Sequence, residues 1–460
     1  MDSKEAITKE IRNNYGIVYT PDNLVNEILD LIPEKYFKNK ELRWLDLGAG
    51  KGIFSLNLLN RLMKNLINEF KDEEECKNHI IKNMLFMVEI YMPHVNYLKI
   101  LFGENSNIIN ECFLSINNNS IKKFDFIIGN PPYNINGQIK TPSNKILKKT
   151  NDGKTIYINF INKSLELLNN NGYLNLIIPS LWLKPDKVKL YNVLTNLEII
   201  KIKCFSNGES TKKFNYQAEV PTCYFLIKNN VTSNIENKII KIYDKIEGEY
   251  LNYLLKKNKP IPINGINVLN KIEKYIEIYG TLKYLKTNIP SNKTKISDNE
   301  GEIYKYKNIK TCKLNNLKAE LIINYSNIKS KYETNYGKLI LAHKMYGMPY
   351  LDKEGQYGIS TRDNYIISEK DYNIDELEII QYFLSTKFIL FIYSCCNYRM
   401  NFLEKSSFEF IPNILKIKDF PNLKNKNRLT RDKLICDFFN LSTKEFEYIE
   451  NFSRDYIFFV

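Results

Sequence analysis

Three stretches between residues 42 and 133 are buried apolar runs that stop in reactive or ligand-binding side chains instead of a plain turn. "LRWLDLGAGKG" (42–52) ends in Asp46 and three glycines, and "NMLFMVEIY" (83–91) ends in Glu89. "FDFIIGNPPY" (124–133) ends in Asn130, two prolines and a phenol expected to be exposed. Short apolar runs bounded by Gly or Pro read as strands buried on both faces, and such strands need crossover helices. Helical patterns stand where those belong, inside 42–66, over 93–102 and at the start of 157–183. Further strands are expected near 107–114, 199–204 and 219–228. Residues 40–228 therefore predict an open α/β sheet. Ligands bind such sheets at the carboxyl ends of the strands, where all three endings fall.

At 460 residues the chain has room for two or three domains. After about residue 235 the helix–strand alternation fades into sequence rich in Lys, Asn, Ile and Tyr. A boundary there separates 1–235 from a mixed α+β domain over 236–460. Lys and Arg number 66 against 52 Asp and Glu, a net +14. That excess suits a polyanion such as nucleic acid, although a Lys- and Asn-rich composition alone would also produce it. Eight cysteines without a C-x-x-C pair, and only three histidines, argue against a zinc site or a disulfide framework. With no signal peptide and no membrane-length apolar run, the expected setting is the cytoplasm, or a nucleus or virus factory for a eukaryotic or viral chain. The Lys-rich stretch 134–154 reads as a mobile loop.

Gly48, Gly50 and Gly52 let a ligand approach the backbone closely, next to a helix N-terminus. The spacing matches neither a Walker A loop nor G-x-G-x-x-G, and a glycine turn can serve packing alone. Glu89 could accept both hydroxyls of a ribose, or simply be solvated. It follows the glycine turn by about forty residues where about twenty is usual, and the charged segment 67–79 absorbs the difference. In Asn130-Pro131-Pro132-Tyr133, a side-chain amide carbonyl and a backbone carbonyl are held rigidly by the fixed φ of proline. Two such acceptors can grip both hydrogens of an exocyclic amine and localise its lone pair, and Tyr133 can stack on the attached ring. The amine is then a nucleophile without a general base. A sulfonium methyl donor at the neighbouring glycine turn would need only alignment.

The ordered set of motifs resembles the gamma group of S-adenosylmethionine-dependent DNA adenine-N6 methyltransferases, the TaqI-like and Eco57I-like enzymes, over residues 15–228. The resemblance implies a Rossmann-like class I methyltransferase sheet and a C-terminal target-recognition domain. By resemblance, Tyr19, Thr20 and Pro21 of "YGIVYTP" (15–21) contact the methionine part of the cofactor. Asp46, Gly48 and Gly50 lie by its amino acid moiety, and Glu89 holds the ribose. The family usually has an acid followed by an aromatic near the cofactor adenine; here Cys112 takes the acid's place and Phe113 follows. Glu111, one residue earlier, is expected on the opposite face of a strand. Asn130 to Tyr133 form the catalytic motif, with Asn130 also beside the cofactor. Phe214, with Tyr216 next to it, would join Tyr133 against the extruded base. The implied partner is double-stranded DNA, together with a separate restriction endonuclease or, for an orphan methylase, none, with no metal and no membrane. Sequence reading is expected from segments such as 341–365, which could equally be a surface loop, and 398–414 resembles the family's closing segment. Competing readings are a protein-glutamine or rRNA methyltransferase and a non-catalytic nucleic-acid-binding scaffold.

Overall fold

The computed structural model describes residues 9–135, 154–187, 189–231, 238–343, 347–399 and 402–460. Most of the stretch expected as a mobile loop, 136–153, lies outside the described residues. The chain divides into two compact units, Met1–Tyr243 with Leu254–Asn258, and Asp244–Tyr253 with Lys259–Val460.

The first unit is built on a sheet whose strands are β1 (Trp44–Asp46), β2 (Leu85–Val88), β3 (Asn107–Ile109) and β4 (Phe124–Gly129), followed by β5 (Leu168–Pro179), β6 (Glu198–Phe205), β7 (Thr222–Lys228) and β8 (Lys238–Asp244). Their order across the sheet is β8-β6-β7-β5-β4-β1-β2-β3. β1 lies parallel between β2 and β4, and β3 and β5 extend the parallel set on either side. β7 runs antiparallel and is wedged between β5 and β6. This is the Rossmann-like sheet expected from the sequence. β8 pairs in parallel with β6, so the sheet continues past residue 235. β3 stops at Ile109 instead of running to 114, and the chain then enters a short 3-10 turn at Phe113–Ser115.

Packing explains why these segments adopt these states. All three residues of β1 are buried, and Trp44 stacks on Phe126 of β4 at 4.0 Å between centroids. Phe126 in turn stacks on Tyr173 of β5 at 4.8 Å, so one apolar aromatic row crosses three parallel strands. The helix Ile53–Leu66 buries Phe54, Leu58, Leu59, Leu62 and Leu66, a single stripe at helical spacing. It starts at Gly52, whose φ of +80° is left-handed. A Cβ there would come within 2.7 Å of Leu98, so the helix can begin that close to its neighbour only on glycine.

In the second unit, two four-stranded sheets stand with helices that include Ile266–Tyr279, Ile374–Leu384 and Arg428–Phe438. Its longest hairpin joins Tyr306–Asn315 to Lys318–Ser326. The two turn residues, Asn316 and Leu317, both have positive φ, the geometry that matches hairpin twist. The segment 341–365 is not a plain surface loop: Gly347–Asp352, Gly358–Ile359 and the start of Tyr365–Ser368 are strands, while 344–346 lie outside the described residues. In 398–414, Phe408 and Phe410 are buried core residues. Among the described residues no single helix is long and apolar enough to cross a membrane, and no group of three metal-ligating side chains is found.

Candidate active site

The carboxyl ends of β1, β2 and β4 open onto one cleft of about 320 Å³, in the range of small-molecule sites. Its lining brings together Tyr19, Thr20, Gly48, Gly50, Glu89, Cys112, Phe113 and Asn130 of the predicted set. Five segments far apart in sequence thus meet: parallel strands deliver four of the endings to the same edge, and the N-terminal segment with Tyr19 and Thr20 joins them. Pro21 serves differently: its carbonyl accepts from the backbone N–H of Leu24 and Val25 and starts the helix Asp22–Leu29. Asp46 lies beneath the glycine turn, fully buried, where Ser55 Oγ donates to Oδ2 at 2.8 Å.

Glycine has a steric purpose in the turn. At Gly48 and Gly50 an added Cβ would meet nothing within 4 Å, so the space over this backbone is open to a ligand. Glu89 is held firmly: Gly50 N–H donates to Oε2 and Tyr91 N–H to Oε1, each at 2.7 Å. A carboxylate so fixed keeps lone pairs for further donors. Asn130 follows Gly129, whose φ of +130° belongs to a region reserved for glycine. The Asn130 amide Nδ2 donates to Thr20 Oγ1 at 3.1 Å, while Oδ1 is buried without a partner. An orphaned acceptor of this kind costs free energy unless a ligand donates to it.

Two expectations about aromatic rings need correcting. Tyr133 is not an exposed phenol: it is 8% exposed, edge-on to Tyr157, and burial pushes its phenol well above the ordinary value. Phe214 is 0% exposed and lies outside the cleft lining, because it closes the helix Asn207–Lys213 against the core. Tyr216, two residues on, is 74% exposed. Next to it, Gln217 Oε1 accepts from Tyr19 N–H at 3.2 Å, which ties this loop to the cleft wall. The prolines divide: Pro132 lines the cleft and Pro131 is buried.

Residues 31–211 match the model of the Eco57I restriction-modification methylase family. Over that span the chain resembles Eco57I-type methylases. A type II methyltransferase of Geobacillus stearothermophilus, M.BstVI, is 28% identical over 283 residues, covering 55% of this chain and 50% of that protein. An uncharacterized adenine-specific methylase of Mycoplasma pneumoniae is 24% identical over 297 residues, 46% of this chain and 67% of that one. Among solved structures, the M protein of the type I restriction enzyme EcoKI is 14% identical, with a TM-score of 0.37 over 49% of this chain and 48% of that one. The chain thus spans about half the length of M.BstVI.

The cleft holds two residues that sequence reasoning missed. Glu111 lines the cleft beside Cys112. The strand alternation that would have turned it away does not apply, because β3 has already ended and Asn110 turns back to donate to the Glu89 carbonyl at 3.0 Å. His94 is the other; the legible signal was a lone polar residue on the buried face of the helix Met92–Phe102, with Val95, Leu98 and Phe102.

Beneath the glycine turn the Asp46 carboxyl is pushed up to about 7, chiefly by burial. The Glu89 charge adds to this, and hydrogen bonds from Ser55 and the Gly48 backbone oppose it. The folded chain therefore keeps a proton that the unfolded chain releases near its ordinary pKa of about 4. Asp46's contribution to stability is full below that value and falls as the pH rises towards about 7. Asp46→Asn should remove this slope. Relative to the parent, its melting temperature should improve between about pH 5 and pH 8, by the equivalent of a few kcal/mol at most. Thermal melts at both pH values read it, and a constant difference would refute the account.

Proposed function

We propose that this chain transfers a methyl group from S-adenosylmethionine to N6 of an adenine extruded from duplex DNA, as the modification partner of a separate restriction endonuclease. The observation that carries this reading is the Asn130 side chain, anchored through Nδ2 to Thr20 with Oδ1 buried, unpaired and at the cleft. The match to the restriction-modification methylase model supports methyl transfer, and the adenine-specific methylase of Mycoplasma pneumoniae supports the choice of base. When bound, the cofactor supplies a sulfonium methyl group whose transfer needs an aligned nucleophile. The open backbone at Gly48 and Gly50, the held carboxylate of Glu89, and Phe113 stacked on Phe160 at 5.2 Å fit a nucleoside with a charged tail. Glu111, which lines the cleft beside Cys112, would be the acid that accepts from the cofactor's adenine amino group.

Asn130 Oδ1 and the Pro131 carbonyl accept the two hydrogens of the target amine and turn its lone pair towards the cleft. Tyr133 and Phe214 are closed off in this conformation, so a flipped base stacks on them only once the surrounding segment opens. Tyr216 already presents a face. Tyr216→Ala should weaken duplex DNA binding roughly tenfold, in line with about 1–3 kcal/mol per stacked base, and leave cofactor affinity unchanged. Fluorescence anisotropy with a methylatable duplex measures it, and unchanged DNA affinity would remove Tyr216 from the base site. The second unit would read sequence, and Lys and Arg side chains would contact phosphates.

The overall test is incubation with labelled S-adenosylmethionine and DNA, RNA or protein, followed by digestion to nucleosides and amino acids. N6-methyldeoxyadenosine is the expected product. Label confined to cytosine, RNA or glutamine would overturn the substrate assignment.

A further inference from the structure

His94 lines the cleft, yet the methyl transfer proposed above gives it no task. Its ring is 3% exposed and stands near the start of the helix Met92–Phe102. Nε2 lies 3.0 Å from the Tyr19 hydroxyl, on a segment 75 residues away in the chain. Nδ1 is buried without a hydrogen-bond partner and lies 3.7 Å from Glu89 Oε2. That distance is too long for a hydrogen bond, but a movement of under about 1 Å would close it. The Tyr91 ring meets the imidazole edge-on at 5.0 Å and the Tyr19 ring lies 6.0 Å away, so the ring has little freedom to turn.

The direction of the bonds follows from the partners. A bare Nδ1 facing a carboxylate would set lone pair against lone pair, so the hydrogen belongs on Nδ1. Nε2 is then an acceptor, and the Tyr19 hydroxyl must donate to it. We propose that His94 is a positioning residue for the cofactor. It joins Tyr19, on the N-terminal wall of the cleft, to Glu89 at the end of β2, so that the carboxylate and the wall are set in one register for a ribose diol. The proposal rests on the functional reading above. Glu89 is also bonded to Gly50 and Tyr91, and the Tyr19 backbone to Gln217, so His94 adds a tie between the carboxylate and the wall.

Two measurements test it. In the ligand-free protein, nitrogen NMR of labelled histidine should show His94 with hydrogen on Nδ1 and Nε2 accepting, and Tyr19→Phe should shift the Nε2 signal. By calorimetry, His94→Phe should weaken S-adenosylmethionine binding about tenfold, with kcat at saturating cofactor changed less than twofold. His94→Asn, whose amide nitrogen falls near the position of Nδ1 but cannot reach the Tyr19 hydroxyl, should recover little of the affinity. Adding Tyr19→Phe to His94→Phe should cost nothing more, since the link is already broken. The proposal is overturned if the hydrogen sits on Nε2, if His94→Phe binds like the parent, or if the two losses simply add. Were the parent itself not to bind S-adenosylmethionine, the functional reading would fail, and the ligand-free spectra would still decide the network.

Discussion

Asn130→Ala should bind S-adenosylmethionine and transfer almost nothing. The side chain has two separate tasks: Nδ2 holds Thr20, and Oδ1 waits unpaired at the cleft. Removing it deletes one of the two acceptors for the target amine. The amine lone pair then stays delocalised into the ring, and the base is no longer oriented. Loss of one preorganised polar group of this kind typically costs about 10²–10³ in kcat. On the proposed reading the cofactor would rest mainly on the glycine turn, Glu89 and the Phe113 side of the cleft, so its Kd should change less than about threefold. Single-turnover methylation beside calorimetry separates the two, and activity within tenfold of the parent would end the two-acceptor account.

Gly16→Ala should have the second large effect, although residue 16 lines the cleft without a side chain to offer the reaction. Gly16 has a φ of +66°, and a Cβ there would run into the Asn134 carbonyl oxygen and lie 2.9 Å from Pro132 Cβ. The N-terminal wall therefore sits directly on the Pro132–Asn134 backbone, with no space for a methyl group. Left-handed strain and overpacking together should cost roughly 2–4 kcal/mol of stability. Relief would push the wall and the Asn130 segment apart, and displacement by about 1 Å can cost about 10²-fold in rate. A melting curve and a methylation assay on the same preparation test it; full activity at an unchanged melting temperature would show that the contact yields without consequence.

The sheet and the meeting of the three strand endings were legible because buried parallel strands leave a plain apolar signature and deliver their endings to one edge. Side-chain exposure was not. Tyr133 follows two prolines and looks like a solvent-facing ring, but the wall containing Gly16 and the helix starting at Tyr157 close over that segment. The segment after β3 failed for a related reason. Alternation assigns a face only while a strand lasts, and β3 ends before Glu111. Phe214 and Tyr216 are two residues apart, yet a positive φ at Asn215 and at Tyr216 turns the chain between core and solvent. No local pattern in "KKFNYQ" announces that reversal.

The wedged strand β7 also sets a timetable for synthesis. β5 and β6 emerge first, with a slot between them that only Thr222–Lys228 can fill. At about 5–20 residues per second the ribosome needs roughly a second or more to supply the missing strand, and until then two apolar strand edges stand unpaired. A protein fragment trimmed to residues 31–211, the span recognised by the family comparison, would keep that slot permanently and lack the Tyr19 wall as well. It should aggregate when expressed. The smallest piece able to mature therefore runs at least to Lys228, the end of the wedged strand, beyond the point where the family match stops.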